Sequence, residues 1–484
     1  MKRMLCCFLL LVLSVRILQA TEYRFTPTID RESLLRNPAC GWILYDDAVG
    51  SVAQAEAYWA AQDSAARQYA TIFYLRWRWS DMEPEEGRYA WLYDENFKKL
   101  IQGASDRGLR LAFRIYVNSS DNLLPATPLW VREAGARGMK VNGWGGAKHW
   151  TPYIDDPVFM KKWAAFITAF GRAFNDPARV DFIDGMGVGS WGECHTLRFS
   201  TPDVDKEKHL RWLTGLFAAA FPNVLLGYQF PTSYGEKLDL QVAIYGQDYV
   251  YRRDSLGSRW FETPEKSIYK RDFPRHPLFA EKCYWGGNEN TAWKKDDLYA
   301  KSWKSWHDVH RTTVENALEY HANTLDLRTV ADTAIWLETP ELVKRFIREG
   351  GYRLAPTAVA LSGNLIPGGQ IELRATWENF GTGVLPNLNR RWRQKYRPAF
   401  ALLAADDSVA ASWLIENAEP GLWLKGIPCA TSMPAAVPHG LKPGRYRLAV
   451  GILNRSGDGM PDLNLALKGE KHGAWHVAGE VECR

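Results

Sequence analysis

Val180-Asp181-Phe182-Ile183-Asp184-Gly185-Met186-Gly187-Val188-Gly189-Ser190-Trp191-Gly192-Glu193-Cys194-His195 runs from an apolar strand into a glycine-rich loop that delivers a carboxylate. A strand is predicted over 180–188, with Glu193 held beyond it between Trp191 and His195. In parallel β/α proteins, reactive groups sit where strands end and loops begin. An indole beside a carboxyl group supplies an apolar wall, which raises its pKa and suits it to acid/base work.

Outward from this stretch, the chain from residue 37 to about 351 alternates short apolar runs with helical periodicity. Strands are predicted at 41–45, 71–76, 109–115, 180–188, 224–229, 242–245, 277–281 and 322–327. Phe159, Trp163, Phe166, Ile167, Phe170 and Phe174 recur at three- and four-residue steps, one face of a helix. Asp156 is its N-cap and Pro157 its first residue. A second helix is expected over 205–221, with Leu210, Leu213, Leu216 and Phe217 inside. Eight such units fit an α/β fold of the (β/α)₈ TIM-barrel kind, whose usual size is ~250 residues plus insertions. A doubly wound sheet competes, but no glycine-rich dinucleotide fingerprint follows the first strand. After a last helix over 340–349, Gly350-Gly351 breaks the pattern and strict alternation begins, as in Ile371-Glu372-Leu373-Arg374-Ala375-Thr376-Trp377. Period-two strands between Pro/Gly turns indicate a β-sandwich. The expected division is a signal peptide over 1–20, the barrel over 21–350 and the sandwich over 351–484. The sandwich either binds carbohydrate or buttresses the barrel, and buttressing is the favoured reading.

The first twenty residues look like an export signal: Lys2 and Arg3, an apolar stretch from Met4 to Val15, then Leu18-Gln19-Ala20. The stretch is shorter than the ~20 residues that span a bilayer. A soluble exported protein, periplasmic or extracellular, is expected after cleavage near Ala20. Losing three cations (Lys2, Arg3, Arg16) lowers the formal charge from +5 to +2. A nearly neutral protein offers nothing to nucleic acid or an anionic membrane. Five cysteines remain (Cys40, Cys194, Cys283, Cys429, Cys483), so at least one thiol is free, and Cys429 with Cys483 is a conceivable pair. No metal-ligand spacing occurs and no cofactor is called for. Most of the 22 tryptophans must build core. Those in polar or Gly-rich loops (Trp144, Trp150, Trp191, Trp285) are placed to stack on pyranose rings.

Glu193 is the first catalytic candidate, as acid/base; the bland alternative is a loop carboxylate in a salt bridge. Glu281 is the second, in Phe279-Ala280-Glu281-Lys282-Cys283-Tyr284-Trp285-Gly286-Gly287, where the seventh predicted strand ends. Strands four and seven face each other across an eight-stranded barrel, so both carboxylates reach one cleft. Retaining glycosidases need two carboxyl groups ~5–5.5 Å apart, one of them a nucleophile. For Glu281 the bland reading is a pair with Lys282 or a barrel-lining arginine. Arg76, Trp79, Arg114 and Asn118 follow the second and third strands as substrate contacts, with Arg76 also suited to holding a carboxylate ionised. Asp248 and Asp254 are expected after the sixth strand as sugar-hydroxyl ligands or a replacement nucleophile. His195 is placed to orient Glu193, and Trp191 and Trp285 to stack on substrate, although most single histidines are surface or hydrogen-bonded groups.

These residues resemble clan A glycoside hydrolases, particularly family 42 β-galactosidases, in the run from Arg76 through Glu83-Pro84-Glu85-Glu86-Gly87-Arg88-Tyr89-Ala90-Trp91. More closely, the chain is similar to the bacterial domain-of-unknown-function family 4832. That resemblance rests on Asn37-Pro38-x-x-Gly41-Trp42, Asp155-Asp156-Pro157, Gly189-Ser190-Trp191-Gly192-Glu193-x-His195 and Arg253-Asp254-x-x-Gly257. The clan A likeness implies an acid/base at Glu193 and a nucleophile at Glu281. Clan A has asparagine immediately before the acid/base, where this chain has Gly192. The expected function is a retaining β-glycosidase acting on an oligo- or polysaccharide. Two alternatives stay open: a non-catalytic carbohydrate-binding or scaffold protein, favoured by Gly192, and an inverting hydrolase with carboxyl groups ~6.5–9.5 Å apart.

Overall fold

Eight parallel strands close into a barrel in chain order: β1 (Gly41–Asp46), β2 (Ala70–Arg78), β3 (Arg110–Tyr116), β4 (Val180–Asp184), β5 (Leu225–Gln229), β6 (Val250–Leu256), β7 (Leu278–Lys282) and β8 (Ala322–Arg328). The computed structural model describes residues 21–46, 52–119, 124–142, 146–261, 263–284 and 302–484. The expected signal peptide, Trp144 and Trp285 lie outside them. No helix among the described residues is long and apolar enough to cross a membrane.

Seven strands fall where apolar runs predicted them, and the sixth does not. Residues 242–245 lie in a π-helical turn, Asp239–Ile244, and the short helix Tyr245–Gln247. Buried Asp239 anchors that turn, accepting from Tyr228 Oη (2.7 Å), Thr232 N (2.8 Å) and Thr232 Oγ1 (2.6 Å). A four-residue apolar run does not distinguish a strand from a buried helical turn. The sixth strand is instead Val250–Leu256, whose Arg252, Arg253 and Asp254 disguised it as a loop. The fourth strand also stops at Asp184, before the glycines.

Side chains alternate along each strand, so every second residue points into the barrel. The lower layer is apolar: Ile43, Ile72, Ala112, Phe182, Leu225, Val250 and Phe279 are all buried in one cluster. The positions two residues further on carry Tyr45, Tyr74, Arg114, Asp184, Arg252 and Glu281. Gly227 takes its place in this second layer because a Cβ there would lie 2.6 Å from Asp184 Oδ1. The barrel is thus filled with oil below and charge above.

The helix Pro157–Phe174 starts as predicted, with Asp156 accepting from the N–H groups of Val158 and Phe159. Its aromatic face packs on Trp91, Phe113 and Trp79. Between β3 and this helix stands a hairpin, Gly138–Asn142 paired with Lys148–Pro152.

After the helix Pro340–Glu349, two antiparallel sheets form the C-terminal domain. One contains Leu354–Gly363, Gln370–Asn379 and Cys429–Ala436, and its edge is the N-terminal strand Thr21–Phe25, paired along Leu354–Gly363. Thr21–Phe25 therefore joins the C-terminal domain rather than the barrel. The other sheet is built on Tyr396–Leu403, Gly444–Asn454 and Trp475–Cys483. Cys429 and Cys483 sit on different sheets, and all five cysteines of residues 21–484 are free thiols.

Candidate active site

The strand-four loop gains its shape from left-handed backbone. Gly187, Gly189, Trp191, Gly192, Cys194 and Thr196 all have φ between +51° and +76°. Ser190 N–H donates to His195 O and Cys194 N–H to Val188 O, folding the loop back on itself. Space, more than its φ of +71°, requires glycine at 192, since a Cβ would lie 2.6 Å from the Tyr116 Cβ. A side chain at this position would displace β3. Trp191 and Glu193 project from the loop into the mouth of the barrel.

Glu193 and Glu281 line one cleft of about 200 Å³ with Arg76, Trp191, Asp254, Ser255 and Arg328. Both glutamates are almost wholly buried. One guanidinium touches both: Arg114 Nη1 donates to Glu193 Oε1, and its Nη2 lies 3.4 Å from Glu281 Oε1. Arg114 is itself fixed by Asp184, through Nε at 2.9 Å and Nη2 at 2.8 Å. Tyr74 donates to the same Asp184 oxygen at 2.5 Å. Glu281 also accepts from Arg252 Nη2 and lies 3.9 Å from Arg328 Nη1. Arg252 is braced by Tyr45 Oη (2.6 Å) and Phe279 O (3.2 Å).

The two carboxyl groups occupy different electrostatic settings. Burial pushes Glu193 above the ordinary carboxylate range, against the pull of Arg114, and Asp254 adds to the rise. Glu281 is engaged by three guanidinium groups, those of Arg114, Arg252 and Arg328. Burial would raise Asp254 as well, but Arg253 and hydrogen bonds from Gln229 and Ser255 hold it low. Burial lowers His195 more than Asp254 raises it, so its imidazole is neutral near pH 7. The Cys194 thiol is pushed up by burial and is therefore a poor nucleophile.

Arg76, Trp191, Glu193, Asp254 and Glu281 come together at the cleft, with Arg114 in its floor. His195 stands beside it, Nε2 at 3.9 Å from Glu193 Oε2, beyond hydrogen-bond reach. Arg114 orients Glu193 instead. Asn118 lines a neighbouring groove that shares Trp191. Two expectations are corrected. Trp79 is fully buried against Trp130 and Trp163, and its Nε1 donates to Glu83 at 2.8 Å, so it is a core residue. Asp248 precedes β6 and sits at the opposite end of the barrel, because the sixth strand begins later than its apolar signal. There it accepts from Arg275 Nη2 (2.9 Å) and Arg390 N (2.6 Å). Asp184, behind Arg114, and Arg328, on the cleft wall, join this arrangement and were not foreseen. Their signal is a charged or polar residue at alternate positions of otherwise apolar strands. Lys282 pairs with Asp332 at 3.1 Å rather than with Glu281. Among the described residues no cluster of three His, Cys, Asp or Glu is placed to hold a metal ion.

No family model and no curated protein matches the chain. Solved structures similar to it include the catalytic domain of a β-amylase from Paenibacillus polymyxa, at 10% identity and TM-score 0.39, covering 61% of this chain and 94% of that one. Xylanase 10B from Thermotoga maritima aligns at 11% identity and TM-score 0.39, over 66% and 97% of the two chains. A GH30 endoxylanase from Clostridium papyrosolvens C71 aligns at 12% and 0.36, over 89% and 98%.

Proposed function

We propose that the protein is a glycoside hydrolase that cleaves β-glycosidic bonds of an oligo- or polysaccharide with retention. The observation that supports this is a pair of buried glutamates on β7 and the β4 loop, bracketed by one arginine, with Glu193 raised by burial and Glu281 engaged by three guanidinium groups. Such pairs divide acid and base roles between chemically identical groups. Glu193, the group biased toward protonation, gives its proton to the leaving oxygen as the anomeric C–O bond breaks. Glu281, charged, forms the new bond to the anomeric carbon. In the second step Glu193 takes a proton from water, whose oxygen displaces Glu281, so one water is consumed and both glutamates are restored. Trp191 offers a stacking face, and Arg76 and Asp254 offer polar contacts to hydroxyls. The chain's resemblance to family 42 and family 4832 proteins rests on its motifs alone and makes galactosides a first trial.

The test is Glu281→Ala on an aryl β-glycoside that the wild type cleaves. Turnover should fall by at least about 10³-fold, and azide should restore part of it as the inverted glycosyl azide. Unchanged turnover removes Glu281 from the mechanism.

A non-catalytic carbohydrate-binding barrel is the second reading. It is favoured by Gly192 standing where clan A has asparagine and by the guanidinium groups already engaging both carboxylates. Glycan binding without release of reducing ends selects it.

A further inference from the structure

A second groove of about 370 Å³ adjoins the cleft, and Trp191 belongs to both, so this residue forms part of their common wall. Four consecutive residues, Met139 to Asn142, line the groove's far side. Both faces of that strand contribute, so the groove follows its edge, and a strand edge presents backbone N–H and C=O groups to hydroxyls. Asn118 and Thr196 add further polar side chains. Two cations, Lys140 and Arg198, also line it, both exposed and neither in an ion pair among the described residues. No described carboxylate lines the groove. The cleft next to it differs, since its arginines face Glu193, Asp254 and Glu281.

The chemistry fixes which part of a substrate would lie there. A general acid must face the oxygen that departs, so the leaving sugar lies on the acid's side of the scissile bond. Glu193 is two residues from Trp191 in the same folded loop, and beyond Trp191 lies the groove. A single-sign surface in a concave site concentrates ligands of opposite charge and selects them over neutral ones.

We propose that this groove is the leaving-group subsite and that it takes an anionic saccharide, with Lys140 and Arg198 meeting a carboxylate or sulfate ester on the sugar. The subsite deepens the glycosidase reading and rests on it for the leaving-group role. The ligand class rests on the groove alone.

The test is titration calorimetry with Glu281→Ala protein, which holds substrate without turning it over. The probes are tetrasaccharides of galacturonate, mannuronate and glucuronate, sulfated galactotetraose, and neutral galactotetraose. At low salt at least one acidic probe should bind about 10-fold more tightly than the neutral one, and the preference should shrink as salt shortens the screening length. Adding Lys140→Ala and Arg198→Ala should remove that preference, bringing acidic and neutral probes to within about 2-fold of each other. These are exposed side chains, so an unchanged thermal midpoint separates lost binding from lost folding. Preference for uronates alone identifies a carboxylate, and for the sulfated probe alone a sulfate. Equal binding of acidic and neutral probes, no binding of any acidic probe, or a preference surviving both substitutions overturns the proposal. Wild-type protein that shows the preference yet releases neither nitrophenol from aryl glycosides nor reducing ends from the tetrasaccharides sinks the glycosidase reading. The leaving-group assignment goes with it, and the ligand class stands.

Discussion

At the residue scale, the informative comparison is between two glutamates of identical intrinsic chemistry. Glu193 has one guanidinium in hydrogen-bonding contact and Asp254 close enough to repel its charge, whereas Glu281 faces three guanidinium groups. A general acid works protonated, and burial raises the pKa of Glu193. Wild-type activity should therefore fall as pH rises through a value above the ~4.3 of an unperturbed glutamate. Glu193→Gln carries no ionisable proton to donate, so its profile should lack the alkaline limb while its rate on a poor leaving group falls by about 10²–10⁴-fold. Initial rates between pH 4 and 9 for both proteins measure this, and a limb that persists in the variant assigns the acid to another group. The sequence alone brought both glutamates to one cleft, because strand ends are legible. It was silent on Arg114 joining them, since that contact links residues 79 and 167 positions apart.

At the element scale, legibility followed the strength of the local signal. The helix Pro157–Phe174 was readable to its first residue because cap, proline and aromatic period all agree. Asp156→Ala removes an acceptor for two N–H groups and should destabilise the protein by about 0.5–2 kcal/mol. Urea unfolding checks this; an unchanged midpoint means that the helix start is held by packing alone. β6 failed for the opposite reason. Its charged residues are ones that a strand tolerates only where partners wait inside the barrel, and those partners, Glu281 and Asp184 for Arg252, come from other strands. Reading Asp248 as a site residue followed directly from that misplacement.

At the scale of the whole molecule, the C-terminal domain closes the floor of the barrel. Ile43, Ile72, Phe182, Val250 and Phe279 belong to one apolar cluster with Leu354, Leu361, Leu373 and Trp377. Polar clasps rim the junction: Tyr352 Oη donates to Pro38 O at 2.7 Å, Asn323 Nδ2 to Val384 O at 2.7 Å, and Asn389 Nδ2 to Asp248 O at 2.7 Å. A shared core does not come apart at low cost, so thermal unfolding should be a single cooperative transition. Deleting 351–484 should expose the apolar floor and yield protein that aggregates or lacks cooperative melting. Calorimetry and size-exclusion chromatography read the outcome, and a soluble truncated barrel with the full-length melting temperature would refute the buttress role. This arrangement supports the favoured reading of the domain as a brace.

The sequence by itself determined the alternation of strand and helix, the glycine-rich delivery of Glu193 and the change of texture after Gly351. Each is written in residues close together in the chain, where periodicity, caps and glycine conformations act. Only the tertiary structure decided which charges neutralise which, where the sixth strand begins, and that the N-terminal strand joins the last domain. Those outcomes depend on energies between groups far apart in sequence: a buried charge is stable only opposite a partner that folding brings to it.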